Sequence, residues 1–369
     1  MAVKLFRKYF LPGLIFQSVL IGGAYGTGRE LVEFFLSQGP IPGFIGMLFV
    51  ILLWGILLAI SFELARSAQK YDYRSFIESL LGKGWVAYEI LYVATMILVI
   101  SVVASASSEL ITGYFGWHPL VGSFFILTGV GILAFYGGKT VENFLSAWSF
   151  VLYGVYIILI IQIAWQFHPQ ISRSLETVTE DNHWFVNALR YTGYNIAFVP
   201  ALLFCLKDIE TRKEAISAGF IGGLIGMIPA ILFYFAMLSQ YPEILSATVP
   251  ATALLDSLDQ PVFSAVFQVV LLGTFLETGI GFVHGFNQRV AGVIETGGKT
   301  MKRRTRAFNA VIILVISIFM ANQFGLVNLI AKGYGIITWG FWIVFLLPLL
   351  TYGLYKILKT WRNFSSNSN

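Results

Sequence analysis

The sequence predicts an all-α integral membrane protein in which about ten transmembrane helices form two inverted repeats of five. Hydrophobic residues make up 57% of the 369-residue chain and charged residues only 12%, whereas a soluble domain carries about 25% charged residues. The apolar residues form ten stretches spread over the whole chain, and the charged residues concentrate in the loops between them. The first and sixth stretches contain residues that interrupt a helix.

Each predicted span approaches the ~20 apolar residues that cross a bilayer, and the ninth is the shortest. The spans cover about 9–35, 41–66, 85–112, 117–136, 143–167, 186–206, 214–239, 261–290, 307–322 and 335–358. The net charge of +5 lies in short loops and does not indicate nucleic acid. The expected partners are a small-molecule solute and membrane lipid, and the sequence does not set the oligomeric state.

The loop charges predict the orientation of the chain. Most lysines and arginines lie before span 1, after span 10, and between spans 2 and 3, 4 and 5, 6 and 7, and 8 and 9. The opposite loops hold only Arg173, Arg190 and Lys332, together with several acids. Because positively charged loops remain in the cytoplasm, we expect a cell-membrane protein with both termini, including a short tail at 359–369, in the cytoplasm.

Patterns typical of enzymes and metal sites do not occur in the sequence. The single cysteine, Cys205, excludes an internal disulfide and a multi-cysteine metal site. There is no GxxxxGK[ST], HExxH or GxSxG pattern. We therefore expect neither an enzyme nor a cofactor, apart from H⁺ or Na⁺ as a coupling ion.

Span 1 contains a run from Ile21 to Glu30 that predicts a broken helix. Its glycines, Gly22, Gly23, Gly26 and Gly28, each weaken a helix by about 1 kcal/mol relative to alanine. Opened backbone at this depth is tolerated only where it lines a cavity, and the ionisable pair Arg29 and Glu30 follows directly. We interpret the run as a binding site for a small polar solute. Close packing of helices on a glycine-rich face is the alternative.

Two short amphipathic segments indicate an inverted repeat. Residues 76–81 precede span 3 and residues 254–258 precede span 8, on opposite sides of the membrane by the charge rule. Repeats at about 9–167 and 186–358, within one transmembrane domain, would place the site between them. Span 6 should then break as span 1 does, and Gly193 and Asn195, with Pro200 a turn later, supply the interruption. An ordinary proline kink is the alternative.

These features resemble the amino acid–polyamine–organocation superfamily with the leucine-transporter (LeuT) fold, and the motif GGAYGTGRE resembles the YkvI-like bacterial membrane proteins. The resemblance implies that spans 1 and 6 bind the solute and that spans 3 and 8 support them. The implied contacts are Gly22, Gly23, Tyr25, Gly26, Thr27, Gly193, Tyr194 and Asn195. A zwitterion would satisfy both the amides and the carbonyls of two broken helices.

The resemblance also implies an outer gate. Arg29 resembles the gate arginine of sodium-coupled relatives, but span 10 contains no acid to pair with it. Glu30, Glu33 or Glu109 is then the candidate partner, and Arg29 with Glu30 is our predicted gate.

Span 8 carries the candidate coupling residues. Thr274, Glu277 and Thr278 share one helical face. In sodium-coupled relatives this helix supplies two adjacent hydroxyls, and here a carboxylate replaces one of them. Glu277 and Thr278 could bind Na⁺ with carbonyls of Gly22 and Tyr25, or Glu277 could carry a proton. A structural role for Glu277, as an ion pair with Arg29 or as a neutral acid between helices, is the alternative.

The sequence therefore predicts a secondary active transporter of a small amino acid or related zwitterion or amine, coupled to H⁺ or Na⁺. The alternative is a solute-sensing receptor subunit, because spore germinant-receptor subunits share this architecture.

Overall fold

The computed structural model describes residues 2–20, 22–136, 139–178, 183–296 and 300–359, and these residues contain helices and no β-strand. Ile21, Lys299 and most of the predicted tail lie outside the described residues. The α-helices in chain order are α1 (Ala2–Tyr9), α2 (Leu11–Leu20), α3 (Gly23–Thr27), α4 (Arg29–Phe34), α5 (Pro40–Ala68), α6 (Tyr73–Leu81), α7 (Trp85–Phe115), α8 (Pro119–Tyr136), α9 (Lys139–Gln166), α10 (His168–Leu175), α11 (Trp184–Ile196), α12 (Arg212–Met237), α13 (Pro250–Ser257), α14 (Pro261–Thr296), α15 (Arg303–Asn328) and α16 (Gly335–Phe341). A 3₁₀ helix covers Val199–Asp208, and π-helical turns cover Leu329–Tyr334, Trp342–Leu346 and Leu349–Gly353.

The helices agree with about ten transmembrane spans. Within the described ranges, five helical stretches are by themselves long and apolar enough to cross a bilayer: Pro40–Ala68, Tyr73–Phe115, Arg212–Gln240, Pro261–Ala291 and Arg303–Lys359. The last stretch contains spans 9 and 10, because Gly325 leaves the helical conformation with φ 69°. Spans 1, 4 and 6 are the shorter or interrupted helices α2 to α4, α8 and α11, and span 5 is the 28-residue α9, which the bent helix α10 follows. Span 9 is longer than the predicted 307–322, since α15 runs from Arg303 to Asn328.

A short helix, α10, was not predicted. It follows α9 after a bend of 80°, so it turns away from the direction of span 5. Ser174 on α10 donates a hydrogen bond to the carbonyl of Leu238 at 2.9 Å, which fastens α10 to the end of span 7.

Span 1 breaks where the glycines predict. The helix α2 ends at Leu20, Gly22 is extended (φ −108°, ψ −170°), and α3 begins at Gly23. A second interruption follows at Gly28, which has a left-handed φ of 79°. A Cβ there would lie 2.8 Å from the Phe233 ring, so backbone conformation and close packing both require glycine.

Span 6 breaks later than predicted. We expected the interruption at Gly193 and Asn195, but α11 continues through both and ends at Ile196, and the chain resumes at Val199 as a 3₁₀ helix. Pro200 provides the physical reason: it has no N–H and its ring clashes with the preceding turn, so an α-helix ends a few residues before it.

The spans pack in two groups. In the first group, the backbones of α5 and α12 are in close contact, because a Cβ on Gly219 of α12 would lie 2.3 Å from the nitrogen of Ala59 on α5. Helix α2 also packs on α12. In the second, α7, α8, α14 and α15 pack on one another. Small residues permit these approaches, as is common in membrane helices. The short helix α3 contacts α7 and α14, so the break in span 1 lies where the two groups meet.

The two amphipathic segments are helices, as the inverted repeat predicts. Residues 76–81 lie in α6, directly before the 31-residue α7. Residues 254–257 lie in α13, before the 36-residue α14. Asp72 caps α6 by accepting a hydrogen bond from the Ser75 amide at 2.9 Å.

Candidate solute and ion site

The break in span 1 faces span 8. A Cβ placed on Gly22 would lie 3.4 Å from Thr278 Cγ2 and 3.5 Å from Thr278 Oγ1. The Thr278 hydroxyl donates to the carbonyl of Thr274 at 2.9 Å, and the Thr274 hydroxyl donates to Val270 at 3.0 Å. A hydroxyl that donates still has lone pairs, so both oxygens retain the capacity to bind a cation. The structure therefore brings together Gly22, Thr274 and Thr278.

The carbonyls proposed for a sodium site already accept hydrogen bonds. The carbonyl of Gly22 accepts from Gly26 N at 3.0 Å, and the carbonyl of Tyr25 accepts from Gly28 N at 2.9 Å. A carbonyl oxygen has two lone pairs, so each can still contact an ion. The amide of Gly26 is thus used within α3. The amides that precede it in the first turn of α3 have no acceptor within the helix, as at the start of any helix.

Two tyrosines from other helices hold the opened backbone. The Tyr156 hydroxyl on α9 donates to the carbonyl of Gly26 in span 1, and the Tyr88 hydroxyl on α7 donates to the carbonyl of Ala197 in span 6. Both side chains are buried. Each break is thus held open by a hydrogen bond from a helix outside the broken pair.

The neighbourhood of Glu277 links four spans. The Glu277 side chain is half-buried and lies close enough to Tyr153 for their charges to interact. The Tyr153 hydroxyl donates to Gln17 Oε1 at 3.4 Å, and the Gln17 amide donates to the carbonyl of Ile225 at 3.0 Å. Polar groups therefore connect span 8, through span 5, to the inner half of span 1.

Arg29 anchors the loop that precedes α13. Its Nη1 donates to the carbonyls of Leu245 and Ala247 at 2.9 and 3.1 Å, and its Nη2 pairs with Glu33 at 3.3 Å. Of the three candidate partners, the structure selects Glu33. Arg29 is 8% exposed, so this is a buried attachment between α4 and the loop that precedes α13.

Glu30 points elsewhere. It is 5% exposed and interacts electrostatically with buried tyrosines on three elements, and its carboxylate lies close to the Tyr194 hydroxyl. These tyrosines are Tyr25 on α3, Tyr191 and Tyr194 on α11, and Tyr334 before α16. Arg29 and Glu30, the predicted gate, therefore do not pair with each other in the structure, and each makes its own set of contacts.

The span 6 residues have different surroundings. A Cβ on Gly193 would lie 2.9 Å from Thr338 Cγ2 and 2.9 Å from Trp342 Cδ1, so Gly193 packs against span 10. The Asn195 amide donates within its own helix, to the carbonyl of Tyr191 at 2.9 Å. Tyr194 stacks on Tyr334 with ring centroids 4.6 Å apart. Among these residues, Tyr194 is the one that faces span 1.

Gly26 and Thr27 are enclosed. A Cβ on Gly26 would lie 2.9 Å from Leu271 Cδ1, so α3 packs directly on span 8 here. Thr27 is fully buried, and its hydroxyl accepts a hydrogen bond from the Arg29 amide at 3.2 Å. Both residues therefore shape the backbone around the break.

A polar cavity of about 390 Å³ lies next to the loop that Arg29 anchors. Ala247, Thr248 and Val249 from that loop form part of its wall, and polar and apolar residues of α7, α13 and α14 form the rest. The polar lining comprises Glu109, Tyr114, Thr248, Thr252, Asp256, Ser264 and Gln268. If the orientation is the one that the loop charges predict, this cavity lies on the external side.

Salt bridges hold α1 in place. Lys8 on α1 is 5% exposed and pairs with Glu214 at 2.8 Å and with Glu210 at 3.2 Å, while Lys4 pairs with Glu210 at 3.0 Å. We refer to these contacts of α1 with residues 210–214 as the N-terminal strap. The buried, paired Lys8 therefore fastens α1 to the segment that begins α12.

Sequence reasoning missed the tyrosines around the site. Tyr88, Tyr153, Tyr156, Tyr191 and Tyr334 come from spans 3, 5, 6 and 10, and no local pattern marks them. The one available signal was the pair of tyrosines three residues apart in span 6, Tyr191 and Tyr194, which share a helical face.

In the described part of the chain, no group of three or more His, Cys, Asp or Glu side chains could hold a metal ion. The breaks and their surroundings offer carbonyls, hydroxyls and single carboxylates, which are oxygen donors suited to hard cations, Mn²⁺ among them, rather than to metals that prefer sulfur or imidazole ligands.

Comparison with known proteins places this site in context. No family model matches the chain. The chain is 22% identical over 326 residues to the uncharacterized membrane protein YkvI of Bacillus subtilis (strain 168), covering 87% of this chain and 89% of that protein. This similarity confirms the resemblance to YkvI.

Solved transporter structures share the fold. A manganese transporter of Eremococcus coleocola is 14% identical with a TM-score of 0.60, covering 94% of this chain and 78% of that chain. A Na⁺-coupled sialic acid symporter, in a substrate-bound outward-open state, is 11% identical with a TM-score of 0.61, covering 95% and 85%. The LeuT-like fold predicted from the sequence is therefore confirmed. Both neighbours are transporters and not enzymes, in line with our expectation.

Proposed function

We propose that the chain is a secondary active transporter that moves a small amino acid or a related zwitterion or amine, coupled to H⁺ or Na⁺. The observation that carries the proposal is the extended Gly22 between two helices, opposite the hydroxyls of α14. Opened backbone in a membrane is costly unless it contacts a polar ligand or lines a cavity. The transporter neighbours of the same fold support the general class.

The proposed solute contacts are in the break of span 1, at Gly22, Gly23, Tyr25, Gly26 and Thr27, with Tyr194 opposite. A small solute with both charges suits amides and carbonyls that lie close together. Gly193 and Asn195 would then act by shaping span 6 rather than by contact, because their described contacts are with span 10 and with their own helix.

The proposed coupling site is on α14. Glu277 and Thr278, with Thr274 behind them, would take a cation shared with the carbonyls of Gly22 and Tyr25, or Glu277 would take a proton. An ionisable group inside a membrane protein is expensive to retain without a function. The proposed organisation is one transmembrane domain of two repeats in the cell membrane, with both termini in the cytoplasm.

The experiment uses purified protein in proteoliposomes. A thermal-shift screen against amino acids, amines and osmolytes first identifies a solute, because a ligand well above its Kd raises stability. Counterflow of that solute then separates transport from sensing, since a receptor binds without exchange. Binding without counterflow would contradict the proposal and favour a sensor.

The variant Glu277→Gln tests the coupling site. It keeps the side-chain volume and hydrogen bonding but removes the charge, so we expect normal exchange of solute and no accumulation against a gradient. An imposed pH gradient without sodium, and a sodium gradient at constant pH, identify the ion. Undiminished accumulation by Glu277→Gln under both gradients would show that coupling lies elsewhere.

A further inference from the structure

Glu30 lies in a shell of buried tyrosines in the outer half of span 1. It is on α4, which packs against α3, α11 and the π-helical turn Leu329–Tyr334. Each of these three elements contributes a tyrosine that interacts with the carboxylate, and none of these side chains is more than 3% exposed. The four are Tyr25, Tyr191, Tyr194 and Tyr334.

The charged groups of the same elements are engaged elsewhere. Arg29 is bonded to the loop that precedes α13 and to Glu33, as described above. Arg190 on α11 donates to the carbonyl of Ala331 at 2.7 Å, and Lys332 on the π-helical turn is exposed. Over the described residues, no cation forms an ion pair with Glu30, so its charge has no counter-charge there.

Two hydroxyls at this position have no well-formed hydrogen bond within the described ranges. They belong to Tyr25 and Tyr194, which are both 3% exposed. The Tyr194 hydroxyl lies near the Glu30 carboxylate without the geometry of a regular hydrogen bond. A tyrosine hydroxyl can donate and accept, and so can a protonated carboxyl group, whereas a carboxylate can only accept. The tyrosine hydroxyls can therefore serve either form of Glu30, and it is burial without a counter-charge that favours the neutral acid.

We propose that Glu30 is a proton-binding site, and that its neutral form is required for the outer half of the protein to close. The inference rests on the proposed transport function and extends it, because it assigns a proton to a position separate from Glu277. Glu277 is half-buried on α14 among Tyr153 and Gln17, whereas Glu30 is enclosed by α3, α4, α11 and the start of span 10.

The coupling follows from the cost of burial. When α4 separates from α11 and span 10, water reaches Glu30 and the carboxylate is well solvated. Closing removes that water, and burying an isolated carboxylate is far more costly than burying the protonated acid. Closure therefore binds one proton from the external solution to a Glu30 oxygen. That proton returns to water when the same side chain is next solvated, on whichever side the site then opens.

Infrared spectroscopy of the full-length protein in lipid measures this directly. A protonated carboxyl group has a carbonyl stretching band that a carboxylate lacks, and the band shifts in D₂O. We expect the wild type to show this band at neutral pH, Glu30→Gln to weaken it clearly, and the matched control Glu243→Gln, at an exposed glutamate, to leave it unchanged. A wild type without the band, or an unchanged band in Glu30→Gln, would overturn the proposal.

Accessibility of the outer cavity gives a second measurement. Val249 lines that cavity, and its side chain is only 8% exposed. The variant Val249→Cys, in a Cys205→Ser background, is labelled with a membrane-impermeant thiol reagent. Labelling should slow on acidification, and adding Glu30→Gln should make it slow at every pH. If the labelling rate of the Glu30→Gln protein still changes with pH as much as that of the background protein, a gating proton at Glu30 is contradicted.

The variant also separates this role from a structural one. Glu30→Gln is neutral and similar in volume, so we expect it to unfold at the same or a higher temperature than the wild type at neutral pH. A clear loss of stability would instead indicate a structural charge. If the infrared and labelling results are as expected and no solute shows counterflow, transport fails and the proton site stands. If counterflow is normal and the band is unaffected by Glu30→Gln, the proton site alone fails.

Discussion

Gly22 and Gly28 are glycines for different reasons. Gly28 has a left-handed φ of 79° and no room for a Cβ beside Phe233, so both conformation and space require glycine. Gly22 has a φ of −108°, which any residue can adopt, and a Cβ there would meet Thr278 at ordinary van der Waals distance. Gly22 therefore leaves space between spans 1 and 8 without being needed for the backbone conformation.

The variant Gly22→Ala should fill that space. We expect it to fold and insert normally but to raise the Kd for solute or coupling ion about tenfold, which corresponds to about 1.4 kcal/mol. The matched control is Gly281→Ala. Gly281 lies on the face of α14 that carries Thr274 and Thr278, and nothing lies within 4 Å of the added Cβ. Thermal-shift titrations of both variants make the measurement, and equal affinities in the two would contradict a site at Gly22.

The sequence predicts some residues of the site and not others. A cluster of glycines beside charged residues marks the break in span 1, because backbone propensity is local. The tyrosine that holds this break is 130 positions away, since Tyr156 bonds to Gly26. Its helix has ordinary apolar spacing, so the contact becomes visible only when the two helices are packed.

Broken helices are the elements on which the fold depends. The prediction of breaks in spans 1 and 6 is correct, but the break in span 6 lies at Ala197 and Phe198 instead of Gly193 and Asn195. Glycine and asparagine only weaken a helix, by at most about 1 kcal/mol relative to alanine. Proline ends it through a missing N–H and a steric clash, so Pro200 determines the position.

Removing the hydroxyl that holds the first break tests the role of α9. Tyr156→Phe leaves the buried carbonyl of Gly26 without that donor, at a cost of about 1–3 kcal/mol. We expect a lower unfolding temperature and faster hydrogen exchange in α3, with weaker solute binding. Tyr114→Phe is the control, because Tyr114 is 51% exposed. Unchanged exchange in α3 would show that packing alone holds the break.

Buried charged side chains fasten the molecule at two places. Arg29 holds the loop that precedes α13, and the N-terminal strap holds α1 against residues 210–214. Side-chain hydrogen bonds from Lys4 and Lys8 lower the pKa of Glu210 below its usual 4.5, and the hydrogen bond to Glu214 raises the pKa of Lys8 above its usual 10.5. Each partner therefore stabilises the charged form of the other.

These shifts determine how the strap responds to pH. The contribution of Glu210 is present above its usual pKa and is lost as the pH falls through its lowered value. The contribution of Lys8 is present below its usual pKa and is lost as the pH rises through its raised value. We expect hydrogen exchange in α1, measured relative to the intrinsic exchange rate at each pH, to be constant around neutral pH and to increase in strong acid. Lys8→Met should increase it at neutral pH, and the exposed Lys4→Met should have little effect. A strap that loosens equally in both variants would contradict a specific role for the buried lysine.

Orientation in the membrane is a prediction for the whole chain. Reporter tags at the N-terminus, the C-terminus and the loop at 299–306 should all report the cytoplasm, because these segments are the most basic. A tag near Glu176, on the loop after α10, should report the outside. One tag on the opposite side from this expectation would disprove the ten-span orientation.

The hydrogen bonds from Tyr88 and Tyr156 have a thermodynamic consequence. A flexible break would lose conformational freedom when a ligand bound, and that loss would weaken its affinity. Here the tyrosines order the opened backbone during folding, before any ligand arrives. The proposed solute, if it has only a few atoms and can make few contacts, would then be bound without that penalty. We expect such a site, made largely of main chain, to retain very small molecules.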